Sequence, residues 1–201
     1  MIALIDYRAG NLRSVEKALQ RVGAQVVVTS RPEDVQVADQ IVLPGVGAFG
    51  DGMAALHELG MVDAIFRAID EKKPLLGICL GMQLLFERSE EMGEHAGLGV
   101  LPGAVLRFSE PGLKIPQIGW NQVWPDGEWP LLAGLEPGFF AYFNHSYYCD
   151  ADPKHVMART DYGLHYASVV GSGRIYGAQF HPEKSQLVGL NILRNFVERC
   201  R

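Results

Sequence analysis

Cys79 lies in the run G-I-C-L-G-M-Q (77–83), with a glycine two residues away on each side, inside an otherwise apolar stretch from Pro74 to Phe86. A thiol that must project from a tight strand-to-helix turn needs small neighbours for clearance. At the start of a helix it also meets free N–H groups and a partial positive charge, both of which favour thiolate over thiol. The same run fits a buried structural cysteine equally well, because free cysteine is among the most buried residue types. A second run, Q-F-H-P-E-K-S (179–185), places His181 ahead of a proline, which biases it to extended geometry. Glu183 then falls on the same side of the chain. A carboxylate held beside an imidazole fixes its tautomer and stabilises the imidazolium. Standing alone, this pair reads more readily as a strand-end histidine with an acidic neighbour. Occurring in one chain, in the order nucleophile, base, orienter, the two runs predict a Cys79–His181–Glu183 triad that attacks a carbonyl.

Such an attack creates an oxyanion, which needs N–H donors aimed at it. One is expected from the residue after the nucleophile, Leu80, and the other from a nearby glycine-rich loop. The run L-P-G-V-G-A-F (43–49) supplies that loop, with Gly45 and Gly47 around Val46. Alone it is also what an ordinary tight turn after a strand looks like.

The elements that must hold these groups follow from periodicity. Apolar runs at 2–5, 25–29, 40–43 and 74–78 read as buried strands. Helices are expected from Leu12 to Val22 with Asn11 as N-cap and Gly23 as stop, near 49–59 and 61–71 on either side of Gly60, and over 80–89. Continuous β-branched strands alternating with helices predict a parallel sheet covered on both faces. Beyond Gly97 short strand-like pieces (104–108, 114–123, 139–143, 156–159, 165–170, 174–179) are separated by Pro, Gly and Asp, with W-P-D-G-E-W-P (124–130) a turn. A closing helix over 185–199 is expected to carry Leu187, Leu190, Leu193 and Val197 on one face. The fold class is α/β: a mostly parallel central sheet flanked by helices, with an antiparallel or mixed extension. No linker divides the chain, so residues 1–201 read as a single domain.

Composition narrows the chemistry. The net charge is −5 with no Lys/Arg-rich run, which argues against nucleic-acid and anionic-membrane partners. M-I-A-L-I-D-Y lacks the cationic segment of a signal peptide, and the apolar run 74–86 is too short to span a bilayer. Three cysteines at wide, irregular spacing suggest neither a disulfide framework nor a zinc site and predict a reducing, cytoplasmic setting. No His/Cys/Asp/Glu cluster has metal spacing, so no metal and no cofactor are expected.

With these residues in view, the chain resembles the class I (triad) glutamine amidotransferases, which hydrolyse the glutamine side-chain amide through a cysteinyl thioester and deliver ammonia to a second active site. Finer features resemble one branch, the glutaminase subunits of imidazole glycerol phosphate synthases in histidine biosynthesis. The opening I-D-Y-R-A-G-N-L-R-S-V is similar to D-Y-G-x-G-N-L-x-S-V, P-Q-I-G-W-N (116–121) to P-H-M-G-W-N, and Y-F-N-H-S-Y-Y (142–148) to Y-F-V-H-S-Y; P-G-V-G replaces the P-G-G of other relatives. The match runs from residue 2 to 196. Arg8, Gln117 and Asn144 depart from the pattern, and none belongs to the triad. The resemblance implies that Gly77 and Gly81 allow the sharp turn at Cys79. It also implies that Gln83, Gly45, Gly47, Ser146 and Tyr147 contact substrate glutamine, and that Asn11, Trp120 and Lys184 lie on a face docking a (β/α)8-barrel cyclase subunit in a heterodimer. Other residue-level readings remain for several of these: a surface glutamine at 83, ordinary strand pairing at 146–147. His145, Cys149 and Cys200 read as structural. The competing functions are a triad glutaminase serving pyridoxal phosphate, guanylate or anthranilate synthesis, or an inactive regulatory module on the same fold.

Overall fold

A computed structural model describes residues 1–200 of the chain. β1 (Ile2–Ile5), β2 (Val26–Thr29), β3 (Gln40–Leu43), β4 (Leu75–Ile78) and β13 (Ile175–Ala178) form the parallel part of the sheet, in the order β2-β1-β3-β4-β13. The sheet continues through β12 (His165–Ser172), which is antiparallel to β13, to β10 (Tyr147–Ala151), β7 (Leu101–Arg107), β5 (Phe86–Ser89) and β6 (His95–Ala96). β11 (Val156–Asp161) branches off β12 to β8 (Gln117–Pro125), which pairs in register with β9 (Phe139–His145).

Period-two alternation sends successive residues of the central strands to opposite faces. Ile2 and Leu4 join a core that includes Leu76 and Ile78, while Ala3 and Ile5 join a second core with Ile41 and Leu75. The first is covered by α1 (Leu12–Arg21) and α6 (Gln186–Arg199), the second by α3 (Phe49–Glu58) and α4 (Met61–Asp70). The expected parallel core with an antiparallel extension is therefore present.

Several elements differ from expectation. β2 is an edge strand, and Val27 and Val28 are each 37% exposed instead of buried. The helix expected over 80–89 lasts one turn, α5 (Leu80–Gln83); the chain then enters β5, because Phe86 and Arg88 pair with β7. Asn11 does precede α1, but only its backbone carbonyl receives the N–H groups of Ser14 and Val15; the side chain makes no cap. Of the face expected on α6, Leu193 and Val197 are buried and Leu190 packs partly buried against the core, but Leu187 is 77% exposed; Gly189, Ile192 and Phe196 are buried as well. Three strands and helices have no counterpart in the sequence reading: the two-residue β6, β10, and α2 (Pro32–Val37), which begins with proline and carries Glu33 and Asp34 in its first turn.

Arg8 sits at φ +67°, in the left-handed region that favours glycine, and its guanidinium forms a two-pronged ion pair with Glu58 at 3.1 Å. That accounts for the glycine in the resembling pattern. The departure costs about 1 kcal/mol of backbone strain, comparable with the upper end of an exposed ion pair.

Candidate active site

The carboxyl ends of three adjacent strands, β3, β4 and β13, lead respectively into P-G-V-G, Cys79 and His181. Open α/β sheets bind ligands outside the carboxyl ends of their strands, so the three separated motifs meet at one rim. Cys79 adopts φ +53°, ψ −111°, a strained conformation for a residue with a side chain. Its neighbours must be glycine because backbone crowds in. A Cβ on Gly81 would stand 1.8 Å from the Leu43 carbonyl oxygen, and one on Gly77 would stand 2.6 Å from the Gly81 carbonyl oxygen. The glycines thus make room for main chain, and Cys79 itself carries the unusual turn. With α5 only one turn long, the helix dipole expected to favour the thiolate is much reduced.

His181 Nδ1 lies 2.9 Å from Glu183 Oε1, and both side chains are buried, at 2% and 1% exposure. Burial alone would lower the imidazole pKa. The neighbouring Cys79 and then Glu183 overcome that and push it up to about 10; of the two ring nitrogens only Nδ1 is hydrogen-bonded, and the buried Nε2 makes no hydrogen bond among the described residues. His181 is thereby held as an imidazolium at neutral pH. Outside the site, burial pushes the Cys149 thiol well above the ordinary value and Cys200 up to about 11.

A pocket of about 240 Å³ opens over Cys79, lined by Val46, Gly47, Leu80, Gln83, Ser146 and Tyr147 among others. It falls below the roughly 300–1,000 Å³ of drug-sized sites, a fit for one amino acid. Gln83 is buried, not on the surface, and its Nε2 donates to the Tyr147 carbonyl at 3.0 Å and to Gln179 Oε1 at 3.1 Å. With both amide hydrogens engaged, Gln83 offers a bound molecule only its carbonyl oxygen. The Tyr147 carbonyl also receives His145 Nδ1 at 2.8 Å, and burial lowers the pKa of that ring to about 4, so His145 stays neutral. Gly45 is buried beneath the pocket and does not line it.

The Leu80 N–H donates to the Gly45 carbonyl at 3.3 Å. One of the two expected oxyanion donors is therefore occupied by the very loop expected to supply the other. Gly47 has φ +115° with open space around its Cα, and Val46 is 40% exposed, so the loop's outer half is unencumbered.

Sequence reasoning missed two groups here. Glu91 lines the pocket, with Oε2 accepting the Phe49 N–H at 2.6 Å; it reaches the site because β5 and β6 fold back beside α3, which no local pattern announces. Tyr7 is buried with its hydroxyl against Gly45 and unpartnered among the described residues. Burial, and secondarily Cys79, hold this phenol above its ordinary pKa, so it stays protonated.

Trp120, Tyr142 and Lys184 cluster away from the pocket: the Trp120 and Tyr142 rings meet edge-on at 6.1 Å, and Lys184 Nζ stands 5.6 Å from the Tyr142 ring centroid. Trp120 is 47% exposed, and Asn11 is exposed at the start of α1.

The model of the family described as glutamine amidotransferase class-I matches residues 3–200. The chain belongs to the class I glutamine amidotransferase family. Among its relatives in that family, the imidazole glycerol phosphate synthase subunit HisH of Bacillus cereus strain B4264 is 49% identical over 98% of this chain and 93% of the relative. The HisH subunit of Bacillus thuringiensis strain Al Hakam is 50% identical over the same shares. Solved structures agree in fold: a glutamine amidotransferase crystal structure superposes with a TM-score of 0.79 at 21% identity, covering 100% of this chain and 99% of the other. PurLQS from Thermotoga maritima gives 0.77 at 20% identity, covering 100% and 98%. Among the described residues, no helix is long and apolar enough to cross a membrane.

Proposed function

We propose that this amidotransferase is the glutaminase subunit of an imidazole glycerol phosphate synthase. It hydrolyses glutamine to glutamate and ammonia and passes the ammonia to a (β/α)8-barrel cyclase subunit, which makes imidazole glycerol phosphate and AICAR in histidine biosynthesis in the cytoplasm. The observation that carries the reading is the Cys79–His181–Glu183 array beside an amino-acid-sized pocket, in a chain whose HisH relatives match it over 98% of its length.

Cys79 thiolate attacks the side-chain amide carbon. The imidazolium of His181 protonates the leaving nitrogen, and ammonia departs. His181, now neutral, takes a proton from water as that water attacks the thioester, and glutamate leaves. Glu183 holds the ring throughout. Gln83 presents its oxygen to a donor group of the substrate, and the Glu91 carboxylate suits the α-ammonium.

The Gly45 carbonyl on the Leu80 N–H supports a resting state with the oxyanion hole closed. Losing one such donor costs roughly 3 kcal/mol, a hundredfold or more in rate. Turning the peptide before Val46 would release Leu80 and bring a second N–H to the pocket. Docking is placed in this reading on the face carrying Asn11, Trp120 and Lys184, extended by Ile118 and Phe140, which are 60% and 54% exposed. That face is tied to the triad: the His181 N–H donates to the Tyr142 carbonyl at 2.9 Å, and Ser185 Oγ bridges the Tyr142 N–H and the His181 carbonyl. The test is glutamate release by the lone subunit and by the subunit with its substrate-loaded cyclase. A rise of at least a hundredfold on docking is expected; full activity in the lone subunit would overturn the control.

A further inference from the structure

Cys79 has a polar neighbour that belongs to neither the triad nor the pocket lining. Gln179 is fully buried, and its Nε2 stands 3.9 Å from Cys79 Sγ, within reach of a sulfur hydrogen bond. The two residues are brought together by the sheet. β13 and β4 pair in parallel up to Ala178 opposite Ile78, the Cys79 N–H donates to the Ala178 carbonyl at 2.7 Å, and the Gln179 N–H donates to the Ser168 carbonyl at 2.9 Å. Gln179 therefore stands on a fixed backbone, one strand away from the sulfur.

Which end of its amide faces the sulfur follows from its other neighbours. The Tyr147 carbonyl can only accept, so Gln83 must turn its NH2 toward it. The second hydrogen of that NH2 then points at Gln179, which must answer with an acceptor, its Oε1, at 3.1 Å. Cys149 makes the same demand independently: burial keeps it a thiol, and its Sγ lies 4.0 Å from the same oxygen. Two donors from two different elements hold Oε1, and Nε2 is left aimed at Cys79.

We infer that Gln179 is a catalytic residue of this site, donating an amide N–H to the Cys79 thiolate, and that Gln83 and Cys149 lock it in the donating orientation. An amide suits this place because it stabilises negative charge on sulfur without carrying a titrating charge of its own. The inference rests on Cys79 being the nucleophile. Gln83 acquires a second role in it, with one end of its amide facing substrate while the other orients Gln179. The other titratable groups around the sulfur are His181 and Glu183 after β13, Cys149 on β10, His145 at the end of β9, Tyr7 after β1 and Glu91 after β5. None of them changes in the variants below.

The test is the pH dependence of Cys79 alkylation by iodoacetamide in the purified full chain, read at the Cys79 peptide by mass spectrometry. A hydrogen bond to a charged group is worth about one pH unit or more. Gln179→Met, close in shape and unable to donate, should raise the midpoint by about one unit. Gln83→Leu, which leaves Gln179 in place but frees its amide to turn, should raise it by a smaller amount. In the complex with its partner, Gln179→Met should lower kcat about tenfold and leave KM nearly unchanged, because Gln179 does not line the pocket. A residue that merely fills space would leave the midpoint where it is. An unshifted midpoint in Gln179→Met overturns the inference, and if that variant fails to fold, an unshifted midpoint in Gln83→Leu overturns it as well. Alkylation reads the thiolate whether or not Cys79 attacks glutamine, so a failure here is distinct from a failure of the glutaminase reading.

Discussion

Replacing Glu183 with glutamine removes one charge and almost no volume, which makes it a sharp probe of how the triad divides its labour. In the native protein the carboxylate accepts from His181 Nδ1 at 2.9 Å, and only one of its oxygens is engaged; Oε2 has no partner among the described residues. Glutamine can keep an oxygen on the ring, but its NH2 then occupies the place of Oε2 with nothing to receive it. Both side chains are nearly fully buried, so solvent does not dilute the effect. A hydrogen bond to a charged group is worth about 1.5–3 kcal/mol and a neutral one about 0.5–1.5, so the change costs about 1.5 kcal/mol, roughly tenfold in rate. Cys79, the other group holding His181 protonated, remains, and this is why the loss stays modest. Glutamate release from glutamine, measured with the loaded cyclase present and with circular dichroism confirming the fold, should fall about tenfold, against several thousandfold or more for Cys79→Ala and His181→Ala. A Glu183→Gln variant as inactive as Cys79→Ala, or fully active, would refute the assignment of Glu183 as orienter.

A glutamine-like diazoketone should label Cys79 and spare Cys149 and Cys200, whose buried thiols are held protonated; equal labelling in a peptide map would contradict this. Because the His181 pKa is raised in the fold from 6.5 to about 10, its contribution to stability is complete below about pH 6.5 and is lost as pH climbs through 10. Thermal unfolding should therefore show a loss on the order of a few kcal/mol across that window, and in Glu183→Gln the loss should be smaller and complete at lower pH, its onset near 6.5 unchanged. Gly81→Ala should destabilise the fold by about 3 kcal/mol or more in urea titration, since its Cβ would meet the Leu43 carbonyl oxygen at 1.8 Å.

What could be read from sequence was whatever local chemistry alone dictates. The strands at 2–5, 40–43 and 74–78, the helices around Gly60 and the three site motifs all announce themselves through continuous apolar runs, turn glycines or unusual residue types. The failures have specific causes. Leu80 to Phe86 is apolar almost throughout, and such a run cannot distinguish helix from strand; pairing with β7, a distant segment, decided it. The exposure of β2 depends on its lying at the sheet edge, which β-branched composition does not encode. Leu187 fits the helical period of α6 yet faces outward, because the stripe through Ile192 and Phe196 is the one that meets the core. Pro32 with Glu33 and Asp34 was a helix start in plain view. In the site, Cys79 and His181 were legible because few roles suit them. Glu91, Tyr7 and Gln179 were not, because an isolated Glu, Tyr or Gln gains meaning only from what tertiary packing sets beside it.

The claim at the centre is that Cys79 makes ammonia and a separate subunit consumes it. The most direct measurement is synthesis of imidazole glycerol phosphate by the complex of cyclase and Cys79→Ala chain, supplied in one assay with glutamine and in another with ammonium salt. Synthesis from glutamine should vanish while synthesis from ammonia continues at the wild-type rate. Retained glutamine-supported synthesis, or loss of the ammonia-supported reaction in a complex that still assembles, would contradict it.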